Sequence, residues 1–581
     1  MTGWRFLPGV LLFPGALPTT MGPPLALTDV GQAFQEHEII LTGANGFLGK
    51  VVLALILDRL PGFKHLHILL RPRGDVSAQE RFLTETLPSP ALQAVVGKRG
   101  RDFRRERITV WPGDIAQPDL GLDAATVERL TGRVGLIINC AGSVEFFPPV
   151  DVSFSSNVDG VEHVVALAKS LGSKLLHVST CYVCGPADGL VEETEPILGF
   201  YPRRRDPEDT SFDHAAEIRY CRARVRQIYD SAYSSASASP GSKLDAADEA
   251  QRRKDVAQRL VALGKQRAEH WGWVNTYTYA KSLGEQIIAA EPGLDYAIVR
   301  PAIVESALEF PIPGWIEGGR TAAPLILMAL GGLKDWPVRQ DMPLEVVPVD
   351  LVAAAILVAG ALLLDGRHEP VYQLATADVN PILLGPLVTL LDAESQRRRT
   401  KAQSGARNGA GNGTGAELRN GKGRTAVAVS PFISGLVGAR ATGRVRFVTA
   451  EEARTRRESI QRRIARAQNL IGGVKSVLAA ARLPGAESLT ALSTALRTTG
   501  LQASFREQTL DQYLPFILEN RYIFESENIR TAYTLISERE RELLPWNPER
   551  LDWKSYWVNN QIPGVERWVQ PEAVKNWAFR I

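Results

Sequence analysis

Cysteine is scarce in this chain, with four (Cys140, Cys181, Cys184 and Cys221) in 581 residues. That excludes a disulfide framework. Cys181 and Cys184 form a CxxC, but no second Cys or His pair at zinc spacing accompanies them. Plain buried thiols are the stronger reading, no metal is expected, and a reducing cytoplasm fits. Long apolar runs are also missing. Nothing approaches the roughly 20 apolar residues that a membrane-spanning helix needs. Neither sign of charge is in excess: the net charge is +3, which gives nucleic acid no electrostatic footprint. The N-terminal "WRFLPGVLLFPGALP" is apolar but broken by three prolines and lacks a basic start. It makes a poor signal peptide. Residues 1–36 read as a leader, with Met21 an alternative start.

What the chain does have is length for more than one domain and the 45% apolar, 23% charged composition of a globular protein. From about Glu38, short apolar runs alternate with helical segments. "HEIILTG", "HLHILLRP", "RITVWPGD", "VGLIINCAG", "SKLLHVST" and "DYAIVRPAIV" read as strands buried on both faces. Helical stretches such as "GKVVLALILDRL" and "NVDGVEHVVALAKSLG" lie between them. The pattern predicts an α/β fold with a doubly wound parallel sheet. The α/β domain is expected over 37–392, with an Arg-rich helical insertion at 201–273. A low-complexity linker at 393–425 follows, then a helical C-terminal region at 426–581. Its tryptophans point to a packed surface or a partner contact rather than a tail.

The chemistry begins at "LTGANGFLGKVV". Gly43, Gly46 and Gly49 stand three apart between a strand and a helix, the spacing that brings backbone N–H groups and a helix N-terminus onto a pyrophosphate. The second strand ends in "LLRPRG", where Arg71 and Arg73 replace the carboxylate that would bind a ribose 2′-hydroxyl. Guanidinium there favours a 2′-phosphate, hence NADPH. Asp114 and Ile115 of "PGDI" suit the adenine, and "NCAG" supplies the small Ala141 and Gly142 beside the cofactor. In "NTYTYAKSLGE", Tyr277 and Lys281 share a helix face. The lysine lowers the phenol's pKa, and the phenol protonates a carbonyl oxygen as hydride arrives. Tyr279 is the rival without a lysine four residues on. Thr180 of "HVSTCYVCG" is the expected second hydroxyl, with Ser179 next, and Asn157 is expected to hold a water against Lys281. The catalytic set is thus Thr180, Tyr277, Lys281 and Asn157. The cofactor set is Gly43, Asn45, Gly46, Phe47, Leu48, Gly49, Arg71, Arg73, Asp114, Ile115, Ala141, Gly142, Tyr277, Lys281, Pro301 and Ile303.

In that order the motifs resemble those of an extended short-chain dehydrogenase/reductase, a Rossmann fold. The wording of the glycine stretch, "HVSTCYVCG", "GLVEETEP", "NTYTYAKSLGE", "IVRPAIVESALEFPIPGWIEG" and "LEVVPVDLVAAAILVA" resembles the fatty acyl-CoA reductases from about Ile39 to Asp378. So does the length between Thr180 and Tyr277. Cys181 stands where that family has alanine, and the C-terminal part resembles it only loosely. The resemblance implies NADPH-dependent reduction of a long-chain fatty acyl-CoA to aldehyde, alcohol or both, with no covalent enzyme intermediate. It leaves peripheral membrane contact open. Rivals are a reductase of carrier-protein-bound thioesters, a sterol or sugar-nucleotide oxidoreductase of the same fold, and a non-catalytic nucleotide sensor. Phe310 to Leu333 is either an acyl-channel wall or a helix packed into the core. The insertion arginines (Arg203, Arg204, Arg205, Arg222, Arg224, Arg226) read as a solvated face more readily than as a site for coenzyme A phosphates. The preference for Arg over Lys is that of a GC-rich bacterial genome.

Overall fold

The computed structural model describes residues 26–99, 106–233, 246–319, 321–409, 444–480 and 509–571. Seven parallel strands form the central sheet: β1 (Glu38–Thr42), β2 (His65–Leu70), β3 (Ile108–Pro112), β4 (Val134–Asn139), β5 (Lys174–Val178), β6 (Tyr296–Pro301) and β7 (Val371–Leu374). Their spatial order is β7-β6-β5-β4-β1-β2-β3. The six apolar runs in the sequence are the first six of these strands. The chain order reverses between β1 and β4, so a crevice opens at their carboxyl ends, where α/β folds bind ligands.

Helix α1 (Phe47–Arg59) follows β1 and is buried along most of its length. It packs on α6 (Val349–Leu364), whose "VDLVAAAILVAGALLL" is apolar all round and buried except at its last residue. At 16 residues α6 is a core helix, shorter than the roughly 20 a span needs. Among the described residues no helix is long and apolar enough to cross a membrane. Helix α2 (Val150–Asn157), the insertion helices α3 (His214–Tyr233) and α4 (Ala246–Trp271), and α5 (Thr276–Ala289) cover the other side. They share a core with Phe154, Trp273 and Tyr279. The centre of the insertion lies outside the described residues.

Three boundaries differ from the sequence reading. Val30–Glu36 is a helix whose Val30 and Phe34 are fully buried, so this part of the expected leader belongs to the fold. The expected linker starts as helix, because Leu384–Gly409 is continuous; residues 410–425 lie outside the described ones. The C-terminal region is not purely helical. Its strand Arg521–Phe524 pairs in parallel with Asp188–Val191, and two of its tryptophans pack inward: Trp546 and Trp557 are buried, with Trp557 1% exposed in the same core as α1 and α6.

Buried carboxylates fasten this C-terminal layer. Glu345 accepts N–H bonds from Phe524 (2.8 Å), Thr376 and Ala377 (both 3.2 Å). Glu193 accepts from Gln373 (2.7 Å) and Asn528 (2.8 Å). Gln561 donates to Glu305, which also takes the Ala322 N–H at 2.7 Å. Each ties a C-terminal residue or its neighbour to the reductase body. Glu345→Ala strands three buried N–H groups, at a cost of roughly 3 kcal/mol or more. Urea unfolding should show that loss as a lower midpoint; a midpoint equal to wild type would contradict the pinning role.

Candidate active site

The glycine loop is built by contact, not by charge. Gly43 has φ of +70°, and a Cβ on it would sit 2.7 Å from the Cys140 carbonyl carbon. A Cβ on Gly49 would sit 2.1 Å from the Gly43 carbonyl oxygen. The turn closes through Gly46 N–H donating to Gly43 O at 2.9 Å. Gly46 then caps α1, whose first N–H groups open into the crevice. Lys50, one residue past Gly49, is buried and donates to Glu317 at 2.6 and 2.7 Å. The sequence reading gave that pair no place.

Two cavities meet at this loop. The outer one, about 670 Å³, is lined by Gly43, Asn45, Gly46, Arg71, Asp114, Ile115, Ala141 and Gly142 of the expected cofactor set. Arg71 stands 3.7 Å from Asp114. Asn45 accepts from the Thr86 hydroxyl at 2.9 Å. Arg73 is not there: it pairs with Glu85 at 2.5 Å, turned away by the tight Arg73–Val76 bridge. Arg81 lines the cavity instead, anchored on Glu85 at 2.7 Å. It lies a turn into the short helix that Ser77 caps. That cap is legible in "DVSAQER" and was the available signal.

The inner cavity, about 370 Å³, is lined by Gly43, Gly46, Phe47, Leu48, Gly49, Ala141, Gly142, Thr180, Tyr277, Lys281, Pro301 and Ile303. Ser179 also faces it, its buried hydroxyl without a hydrogen-bond partner. Thr180 precedes the short helical turn Cys181–Cys184 at the end of β5. Tyr277 and Lys281 are one turn apart on α5. Burial pushes the Tyr277 phenol up to about 12, against a hydrogen bond with Thr180 that pulls it down. Lys281 is not among the groups acting on it. The lysine Nζ turns to the Val178 carbonyl at 2.6 Å and to His177 Nε2 at 3.3 Å. Burial lowers Lys281 to about 8. The expected lowering of the phenol by the ammonium is therefore absent in this state. Tyr279 points elsewhere, donating to Glu217 at 2.6 Å.

Asn157 lines neither cavity. Its amide donates to Ser143 O at 3.0 Å and accepts from Ser143 N–H at 3.1 Å. The side chain thus fastens the loop after β4. Cys181 also stays out of the cavity, its Sγ on the Arg300 carbonyl at 2.8 Å.

The far end of the inner cavity is aromatic. Phe146, Tyr182, Tyr513 and Phe516 line it, with Phe146 and Phe516 centroids 5.4 Å apart. Tyr513 and Phe516 come from the C-terminal layer, more than 200 residues away in sequence, and no local signal announced them. Of the Phe310–Leu333 stretch, Glu317, Gly318 and Thr321 reach the cavity, while helix Ala323–Leu330 packs into the core. The core-helix reading holds for that helix, while the residues before it line the cavity. Arg222 bonds Asp159 and Glu162, and Arg204 lies 4.7 Å over the Phe200 ring; both are tied up within the chain.

Residues 41–356 match the NAD-binding family model described as male sterility protein. Probable fatty acyl-CoA reductase 5 of Arabidopsis thaliana is 30% identical over 366 residues, 61% of this chain and 70% of that protein. The chain belongs to the fatty acyl-CoA reductase family. A second family member, the alcohol-forming fatty acyl-CoA reductase of Simmondsia chinensis, is 30% identical over 359 residues, 60% of this chain and 68% of its own. These plant relatives lend no support to a bacterial source. The reductase domain of a non-ribosomal peptide synthetase from Mycobacterium tuberculosis aligns at TM-score 0.46 and 17% identity, over 92% of this chain and 96% of that one.

The glycine contacts, the small residues after β4 and the exposed N-terminus of α1 fit a nicotinamide dinucleotide spanning the two cavities. Gly49→Ala forces its methyl into the Gly43 carbonyl, so dinucleotide affinity should fall about tenfold or more. Fluorescence titration checks this, and an unchanged Kd would contradict the fit.

Proposed function

We propose that this family member reduces long-chain fatty acyl-CoA thioesters with NADPH, forming fatty aldehyde, fatty alcohol or both. One observation carries the reading. The Thr180 and Tyr277 hydroxyls and Lys281 open into a cavity that ends in an aromatic pocket, Phe146, Tyr182, Tyr513 and Phe516. Such a pocket suits an alkyl chain, which gains about 0.8 kcal/mol per buried methylene. A polar sugar would leave its hydroxyls unpaired there.

The roles follow from chemistry. The dinucleotide would lie over Gly43, Gly46 and Gly49 with its nicotinamide toward Tyr277 and its adenosine toward Asp114 and Ile115; when bound, it supplies hydride. Thr180 and Tyr277 hold the thioester oxygen between two hydroxyls and steady the negative charge that develops on it. A phenol held up at about 12 stays protonated at neutral pH and so has a proton to give. Collapse of the tetrahedral adduct releases coenzyme A thiolate and an aldehyde. The aldehyde oxygen meets the same two hydroxyls in a second round that yields the alcohol. No protein nucleophile is required, in keeping with Cys181 bonded away from the cavity. Arg71 supports the choice of NADPH, since it lines the outer cavity beside Asp114, with Arg81 donating to the Arg71 carbonyl.

Purified protein given palmitoyl-CoA or palmitoyl-carrier protein, with NADPH absorbance followed, tests the substrate class. Oxidation with the CoA ester is expected; oxidation with the carrier ester alone would overturn the reading. Tyr277→Phe should lower kcat at least about a hundredfold while NADPH still binds. Near-normal turnover would remove Tyr277 as proton donor. Arg71→Ala should raise KM for NADPH about tenfold and leave that for NADH unchanged. Equal changes for both cofactors would contradict 2′-phosphate recognition.

A further inference from the structure

Lys281 has a buried titratable neighbour within contact distance that the mechanism leaves unused. His177, next to last in β5, is 1% exposed, and its Nε2 lies 3.3 Å from Lys281 Nζ. Behind the ring runs a line of hydrogen bonds across three neighbouring strand ends. Ala141 N–H donates to Thr42 Oγ1 at 3.2 Å. The Thr42 hydroxyl donates to Asn139 Oδ1 at 2.6 Å. Asn139 Nδ2 then donates to His177 Nδ1 at 3.0 Å.

The direction of that line selects the tautomer. A backbone N–H fills the Thr42 oxygen, so the hydroxyl proton goes to Asn139 and the amide turns its N–H to the ring. With Nδ1 accepting, a neutral imidazole carries its single proton on Nε2. That N–H faces Nζ. An ammonium has no lone pair to receive it, whereas an amine has one. The ring is itself neutral, since burial and then the Lys281 charge hold it well below its ordinary range.

We infer that His177 is a positioning residue that favours the neutral amine of Lys281, by offering Nε2–H to Nζ, and so sets the pH at which the lysine exchanges a proton beside Tyr277. The inference rests on the proposed role of Tyr277 as proton donor, since Lys281 lines the same cavity one helical turn from it. Burial acts in the same direction. Glu285 of α5 and Cys140 after β4 act in the opposite one, and Glu285 is already paired with Arg300 of β6 at 2.5 Å. With Asn157 engaged by Ser143, His177 is the side chain that supplies the lysine's second contact.

Full-length protein labelled with 15N-histidine reads the tautomer directly. The chain has eight histidines, and loss of one signal in His177→Gln assigns His177. From about pH 6 to about pH 9 the ring should stay neutral with its proton on Nε2. Its nitrogen shifts should move as a neighbour titrates, and Lys281→Met should abolish that movement. A proton on Nδ1, or shifts indifferent to Lys281→Met, would overturn the inference. Gln at 177 can turn its carbonyl oxygen to the ammonium. The alkaline limb of acyl-CoA reduction should then rise by about one pH unit or more, with NADPH affinity unchanged; an unmoved limb would also overturn it. If His177→Gln does not fold, Asn139→Leu serves for assignment, by freeing Nδ1 from its donor and shifting that one ring. An Nδ1-protonated ring in a protein that reduces palmitoyl-CoA defeats this inference alone. An Nε2-protonated ring in a protein that reduces no acyl-CoA defeats the substrate reading alone.

Discussion

The Gly43 carbonyl oxygen lies where a Cβ on Gly49 would be, 2.1 Å away, and the rest of the site depends on that contact. It lets α1 start directly at the end of β1, so the positive end of the helix opens at the point where strand order reverses. Cys140 and Ala141 press on Gly43 from β4 at comparably short range. The crevice is therefore set by backbone against backbone, which side-chain repacking cannot relax. Thr180 and Lys281 then face it from β5 and α5, and a cofactor and a carbonyl can meet between them.

The second constraint is the C-terminal layer. The sheet alone would leave the inner cavity open beyond Tyr277. Tyr513 and Phe516 close it, and they are held there by strand Arg521–Phe524 lying along Asp188–Val191. Glu345 and Glu193 fix that layer through backbone N–H groups, and Glu305 through the Gln561 side-chain amide. Burial lifts all three to about 7, against those hydrogen bonds. Buried carboxylates are costly unless so satisfied. Their placement where two layers meet links the stability of the fold to the shape of the aromatic pocket.

How legible the protein is follows from the range of the interactions. Strands β1, β2, β4, β5 and β6 stand out because both faces are largely buried, which makes the apolar run continuous, and β3 at the sheet edge is half-buried yet keeps an apolar run. β7, only four residues of "VYQL", carries too short a pattern. The glycine loop and the Tyr277–Lys281 pair are local and periodic, so spacing alone selects Tyr277 over Tyr279. Arg73 and Arg81 show the limit: both are basic and close in sequence, and a tight turn decides which meets the cavity. The bonds of Asn157 show a related limit, since its partner Ser143 is a loop residue with no pattern of its own. Tyr513, Phe516 and the helix Val30–Glu36, which buries Val30, Ala33 and Phe34, depend on contacts across the whole chain, which no window of sequence contains.

Incubation of palmitoyl-CoA with NADPH deuterated at the transferable C4 position, followed by mass spectrometry of the extracted lipid, tests the account most directly. The account predicts hexadecanal or hexadecanol carrying deuterium on C1, and unlabelled starting thioester with the Tyr277→Phe protein. Intact palmitoyl-CoA after incubation with the wild-type protein, or a C1 product without the label, would contradict it.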